Sequence, residues 1–120
     1  MNQAELDLQI EGTQAFILAD AEDLIFKRRS KVSDGSGGFK FGAPIVLSEQ
    51  TGRMIPQSDR VPEISGSNGK ASKPQYVLLL MPSADVQRYD QFVWRGVTWE
   101  IAELHDKPDY ELKGDVIRVA

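Results

Sequence analysis

At 120 residues, with 41% apolar and 27% charged side chains, the chain is long enough for one hydrophobic core and too short for two. It contains no cysteine, which excludes disulfides, thiolate nucleophiles and cysteine-ligated zinc, and argues against a disulfide-stapled secreted domain. No apolar run approaches the ~20 residues of a membrane span, and Met1 to Glu5 lacks the basic start of a secretion signal, so a soluble protein made in a cytoplasm, without membrane contact, is expected.

The net charge of −4 is unevenly spread. Residues 1–26 carry six acids and no Lys or Arg; residues 27–73 carry nine bases against four acids; residues 74–120 carry five bases against eight acids. The basic middle has two readings: solvated faces, or a surface that meets something negative, either nucleic acid or an acidic partner.

Taken in order, Leu6, Leu8 and Ile10 alternate with polar and acidic residues from Glu5 to Ile10, a pattern open to a short strand or a frayed helix turn. Thr13 then serves as the cap of a brief helix through Ala19, with Phe16 and Ile17 on one face. Leu24-Ile25-Phe26 has the composition of a strand and runs into Lys27-Arg28-Arg29-Ser30-Lys31. In that run Lys27, Arg28, Arg29 and Lys31 are the candidate DNA- or partner-facing residues, against the plainer reading of a solvated strand end.

Ser33-Asp34-Gly35-Ser36-Gly37-Gly38 cannot be the interior of a strand or helix, and a flexible loop is expected near 30–43. It is followed by Phe39-Lys40-Phe41-Gly42 rather than a Lys-Ser/Thr pair opening a helix, which removes a phosphate-cradling loop. Ile45-Val46-Leu47 and Arg53-Met54-Ile55 read as two parts of one extended segment, bent near Thr51-Gly52 and stopped by Pro56. Residues 60–74 form a second expected loop, because Arg60 to Lys73 holds two glycines, three serines and Pro62 and has little to bury.

Tyr76 to Met81 is continuously apolar and suits a strand covered on both faces; Pro82 ends it. The chain is organised around the next stretch, Ala84 to His105. Phe92 and Trp94, then Val97, Trp99 and Ile101, each present one apolar face at the two-residue period of a strand, with Arg95-Gly96 between them. A two-residue loop there sets Trp94 opposite Val97, Phe92 opposite Trp99 and Asp90 opposite Ile101, with the aromatic residues on one side of the hairpin. Asp106 to Asp109 makes a turn, and Tyr110 to Leu112 leads into a closing strand, Val116 to Val119. The sum is a mainly β domain: a small barrel or sandwich of five to six short antiparallel strands with long loops and at most one short N-terminal helix.

The inventory of chemistry is thin. His105 is the only histidine, Glu100 and Glu103 fall on opposite faces of a strand, and Asp106 with Asp109 belongs to a turn, so no catalytic, metal-binding or cofactor-binding set is expected and the chain is read as no enzyme. Trp94, Trp99, Phe92, Tyr89 and Tyr76 would stack bases on an OB-type barrel if they were exposed among basic residues. They alternate in phase with Val97 and Ile101 instead, which favours core packing.

Several runs share an order and spacing with a known family. Pro74-Gln75-Tyr76-Val77-Leu78-Leu79, Ala84-Asp85-Val86-Gln87-Arg88, Asp90-Gln91-Phe92, Gly96-Val97-Thr98-Trp99-Glu100-Ile101 and Tyr110-Glu111-Leu112-Lys113 together resemble the head-to-tail stopper, or head-closure, proteins of long-tailed bacteriophages. Arg53-Met54-Ile55-Pro56, preceded by Gly37-Gly38-Phe39, is similar to the same family, and the resemblance runs from about residue 13 to the C-terminus. One departure is Tyr89, where a glycine is expected before the Asp.

The resemblance implies a virion protein of the neck, made in the bacterial host, whose copies form a homo-oligomeric ring below the portal and adaptor rings. Such a ring closes the channel on the packaged DNA and offers the tail its attachment surface. On this reading Ser65, Gly66, Ser67, Asn68, Gly69, Lys70 and Lys73 form a loop, mobile in the free subunit, that gates the channel, and the lysines touch double-stranded DNA without reading its sequence. The alternative is a nucleic-acid-binding β-barrel of OB type acting alone.

Overall fold

A computed structural model describes residues 2–57, 62–67, 69–105 and 109–119. The chain opens with α1 (Gln3–Leu18), which begins where the Asn2 side chain accepts from the Glu5 amide at 2.8 Å. The expected brief helix from Thr13 is therefore a 16-residue helix with Thr13 buried in its third turn. Leu6, Ile10, Thr13 and Ile17 fall at i, i+4, i+7 and i+11, and they are the positions of α1 that are not exposed. The short alternation of Leu6, Leu8 and Ile10 imitated a strand because it holds two members of this stripe and one residue of the opposite face.

Ten strands come after it among the described residues, where five to six were expected. They are β1 (Glu22–Leu24), β2 (Phe26–Ser33), β3 (Phe39–Val46), β4 (Gln50–Pro56), β5 (Ile64–Ser65), β6 (Ala71–Ser72), β7 (Tyr76–Leu80), β8 (Gln91–Trp94), β9 (Val97–Leu104) and β10 (Leu112–Arg118). Eight form one antiparallel sheet in the order β1-β4-β7-β10-β9-β8-β2-β3, and β5 pairs with β6 alone. Counting apolar runs misses the surplus, because β2, β3, β5 and β6 are largely exposed and carry polar residues that a core does not select.

The sheet has to curl. β1 lies at one edge and β2 is the seventh strand, yet only Ile25 separates them in the chain. In a flat sheet those strands would stand about 29 Å apart, six spacings of roughly 4.8 Å, which two Cα–Cα steps cannot bridge. The two ends are therefore drawn together into a barrel-like half-cylinder. Its inside holds Leu24, Phe26, Leu78, Phe92, Trp99 and Ile101, all buried. Tyr76 sets its ring edge-on to Trp94 and Trp99 at 5.0 and 5.2 Å, and Phe26 meets Phe92 at 5.1 Å.

The β8–β9 hairpin has the register read from its sequence: Phe92 faces Trp99 and Trp94 faces Val97. Arg95 and Gly96 both take positive φ, 52° and 74°, the requirement of the mirror-image turn whose twist matches the strands. The expected bend at Thr51-Gly52 lies inside β4 instead, and the break between β3 and β4 falls at 47–49. Gly52 sits there for lack of room: a Cβ would come 2.7 Å from Leu80 Cδ2 and 3.0 Å from the Leu79 carbonyl oxygen.

The flexible loop expected near 30–43 is an ordered arm. Lys31, Val32 and Ser33 pair with Phe41, Lys40 and Phe39, and the Asp34 carboxylate accepts from the Ser36 and Gly38 amides to close the turn. Alternation of Val32, Phe39 and Phe41 with lysines and serine is strand chemistry that the Ser-Gly run obscured. The arm helps make the molecule long, 51 × 30 × 27 Å, with a radius of gyration of 15.4 Å. A compact domain of this length would have about 13.6 Å.

Two elements cover parts of the outer surface of the sheet. α1 lies on β4, with Arg53 donating to the Phe16 carbonyl oxygen, and Ile17 and the outward-facing Leu79 are both buried. The β5–β6 hairpin lies over β9, where the outward-facing Glu100 and Ala102 are fully buried. The outer side of β2 and β8 has no such cover among the described residues: Ile25 and Val93 are 50% and 59% exposed. Since Trp99 is 4% exposed at the centre of the aromatic cluster, Trp99→Ala should destabilise the fold by about 3–5 kcal/mol in a urea titration, and a loss under about 1 kcal/mol would contradict this packing.

Candidate functional site

The basic run lies in β2 and divides by position. Phe26 points into the core, and the next residues pass the open end of β8 and β9, where two carboxylates are buried. Arg28 donates from Nε and Nη2 to both oxygens of Asp90 at 3.0 and 2.9 Å, a bidentate pair, and reaches the exposed Asp85 at 3.2 Å. Asp90 is 1% exposed and also accepts from the Gln87 amide at 2.8 Å. The bonded Asp90 carboxylate, more than any other influence, holds the Arg28 guanidinium above its ordinary range against the opposing effect of partial burial. Stability from this raised group is fully present below the ordinary arginine range and is lost only as strong alkali passes the raised value.

Arg29 makes the second pair. Its Nη2 lies 3.0 Å from Glu100 Oε1, and its guanidinium stacks over the Phe41 ring at 4.3 Å. Glu100 also accepts from the Ser67 amide at 2.9 Å, the Ser67 hydroxyl and Gln91 Nε2 at 3.2 Å, so its buried carboxylate is paired and both of its oxygens accept hydrogen bonds. Arg29 donates to Ser67 Oγ as well, at 3.1 Å.

The candidate residues therefore separate. Arg28 and Arg29 fasten β2 to the rest of the sheet and keep about a fifth of each side chain exposed. Lys27 and Lys31 project from the surface, and Lys31 lies over the Phe39 ring at 4.5 Å. The core hairpin residues Phe92, Trp94, Trp99 and Ile101 are buried and Val97 is half-buried, as the alternation requires.

The segment expected to have little to bury is a small hairpin. Ile64 pairs with Ser72 and Ser65 with Ala71, the Gly66 amide bonds the Lys70 carbonyl oxygen, and Gly69 turns at φ 77°. Gly66 is buried and Ser67 clasps Glu100, while Lys70 and Lys73 are exposed. Asn68 lies outside the described residues, as do Arg60 and Val61 of the expected loop and Asp106, Lys107 and Pro108 of the expected turn. Where a segment separable from the monomer was expected, the hairpin supplies two hydrogen bonds to a carboxylate that is shut off from solvent.

Composition hides Glu100, Asp90 and Ser67. The signal for Glu100 was its place in Val97-Thr98-Trp99-Glu100-Ile101-Ala102, where a short apolar residue follows an acid on the outer face and implies a cover. Asp90 follows Tyr89, which has φ 75° and rests its ring edge-on against Phe41 at 5.9 Å. That is the left-handed region where glycine is free and other residues are strained, so the glycine expected at this position fits the turn. His105 ends β9 with Nε2 3.1 Å from Asp115 Oδ1, which also accepts from Gln57 at 2.7 Å. No group of three or more His, Asp or Glu among the described residues is placed to hold a metal ion.

No helix of the described residues is long and apolar enough to cross a membrane. The chain matches no protein-family model and no curated protein.

Because Glu100 is wholly enclosed, removing its arginine strands a charge. Arg29→Ala should cost about 3–5 kcal/mol, whereas Lys27→Ala should leave the urea midpoint almost unmoved. Similar small losses for both variants would show that the clasp carries no stability. Ser67→Ala, which removes one donor from the same carboxylate, should cost about 1–3 kcal/mol by the same measurement.

Proposed function

We propose that the chain is a structural connector subunit of the head-to-tail stopper type, whose copies assemble as a ring between a portal–adaptor complex and a tail and hold the packaged DNA. The observation that carries this reading is the placement of its exposed apolar side chains. Leu8 and Leu18 on α1, Val32 and Phe39 on the arm, and Ile25 and Val93 on the open side of the sheet are all exposed. Surfaces of this kind serve contact with other proteins. The ordered series of motifs from Arg53 to Lys113 supplies the particular assembly, and the curled sheet is read as the small β-barrel of that fold.

Within this reading the channel-facing element moves. The 65–73 hairpin is clasped to Glu100, while the arm tip from Ser33 to Phe41 stands clear with Lys31 and Lys40 beside it. The arm is thus the better candidate to approach DNA, through phosphate contacts that carry no sequence information. The burial that supports the core also withdraws Phe92, Trp94 and Trp99 from any stacking surface, so the stand-alone nucleic-acid-binding reading is not preferred.

Phage particles assembled without this chain should fill with DNA, lose it on release from the cell and carry no tails in electron micrographs. Particles that keep their genomes and join tails would overturn the connector role. Shortening the arm across Asp34 to Gly38 should leave the fold intact and impair retention more than shortening the 65–73 hairpin does in any variant that still folds.

A further inference from the structure

α1 carries two apolar stripes, and its own domain uses one. Leu6, Ile10, Thr13 and Ile17 face the body. Leu8, Ala15 and Leu18, with Ala4 and Glu11 between them, lie roughly 150° further round the helix at 100° per residue. Leu8 and Leu18 are 68% and 59% exposed. α1 also carries Glu5, Asp7 and Glu11 and no base. A stripe of this kind is the usual form in which a helix enters an apolar groove.

The same chain has a groove of fitting character. The uncovered outer side of β1, β2 and β8 encloses about 540 Å³ bordered by Ile25, Lys27, Pro44, Val93 and Thr98, with Asp23 at one end. Val46 faces Lys27 across β2 and β3, so it projects on the same side, and it is 67% exposed. Asp23 is occupied by a bond from the Thr51 hydroxyl at 2.9 Å. Arg29, which also lines the groove, is paired with Glu100, so Lys27 is the groove's outward charge, and Lys31, on the same side of β2, extends the positive surface along the arm.

The two surfaces do not meet within one molecule. α1 is held on β4 by its inner stripe and by Arg53, which turns its outer stripe away from the body, and Leu8, Leu18, Ile25 and Val93 all stay exposed. We infer that the outer stripe of α1 in one copy docks in the β1–β2–β8 groove of the next, with Leu8 and Leu18 against Ile25, Val46 and Val93 and with Glu11 towards Lys27. Opposite charge selects a second copy as the occupant: the acidic helix and the basic groove are complementary parts of one chain. Since the two patches differ, the contact is head-to-tail and either closes as a ring or continues as a filament. The inference deepens the connector reading by naming the subunit contact, and it rests on that reading only for closure into a ring.

The absence of native cysteine makes a cross-linking test direct. A chain carrying both Leu8→Cys and Val93→Cys should give a ladder of multimers on oxidation, and an equal mixture of the two single variants should give heterodimers and stop there. Lys27→Glu should weaken self-association by about tenfold in sedimentation, and Glu11→Lys in the same chain should recover it. Dimers from Leu8→Cys alone, in place of the ladder, would overturn the inference in favour of helix pairing. A chain that stays monomeric and uncross-linked at near-millimolar concentration would overturn it outright. Rings that persist with Leu8→Glu and Leu18→Glu would sink this contact and leave the connector reading standing; a ladder from a chain whose loss leaves particles full and tailed would do the reverse.

Discussion

The Glu100 carboxylate is the constraint on which the rest of the structure depends. A charge with no access to water is tolerated only when it is paired and its remaining lone pairs are bonded, so four groups from three other elements are drawn to one point. Arg29 comes from β2, Gln91 from β8 and both Ser67 donors from the turn after β5. Those bonds decide what the outer face of β9 carries. They bring the β5–β6 hairpin down as a cover over Glu100. They also fix the base of the arm, since Arg28 is anchored beside Arg29 by the bidentate bond to Asp90.

For the arm the consequence is mechanical. Its first strand is bolted at Phe26, Arg28 and Arg29 to the core, to Asp90 and to Glu100, while everything from Ser30 to Lys40 is exposed. Beyond the second arginine, backbone pairing to β3 is the main restraint among the described residues. In the connector proposed above, a projecting two-stranded element with an anchored root and an exposed tip suits insertion between or below neighbouring subunits.

Legibility in the sequence tracked burial. The β8–β9 hairpin could be read to the residue because both its strands face one core, so the two-residue period is enforced by packing and the Arg95-Gly96 turn by φ alone. Tyr76 to Leu80 was legible for the same reason. α1 was not, because Leu8 and Leu18 are apolar on a face its own domain leaves bare, and a helix with two apolar stripes shows no clear amphipathic pattern. The arm was missed because its strands bury little. The β5–β6 hairpin was missed because a carboxylate distant in the chain holds it, and such a bond leaves no trace in local composition or period. The basic run was ambiguous in principle: adjacent arginines look alike in sequence whether they face DNA or a buried acid, and only the fold places Asp90 and Glu100 beneath them.

The features that blurred the sequence are those that bear on function. A monomer that only had to be stable would gain from polar residues at Leu8, Leu18, Ile25, Val46 and Val93, since apolar exposure at these positions contributes nothing to its own core. Their clustering on the outer stripe of α1 and on an uncovered stretch of sheet argues that both surfaces are completed by something else. The inner surfaces of the same elements are already filled, by Ile17 under α1 and by Phe26 and Phe92 under the groove. Sheet and helix are thus each used on both sides, once to fold the subunit and once to present it, and the uneven charge along the chain gives the presented sides opposite signs.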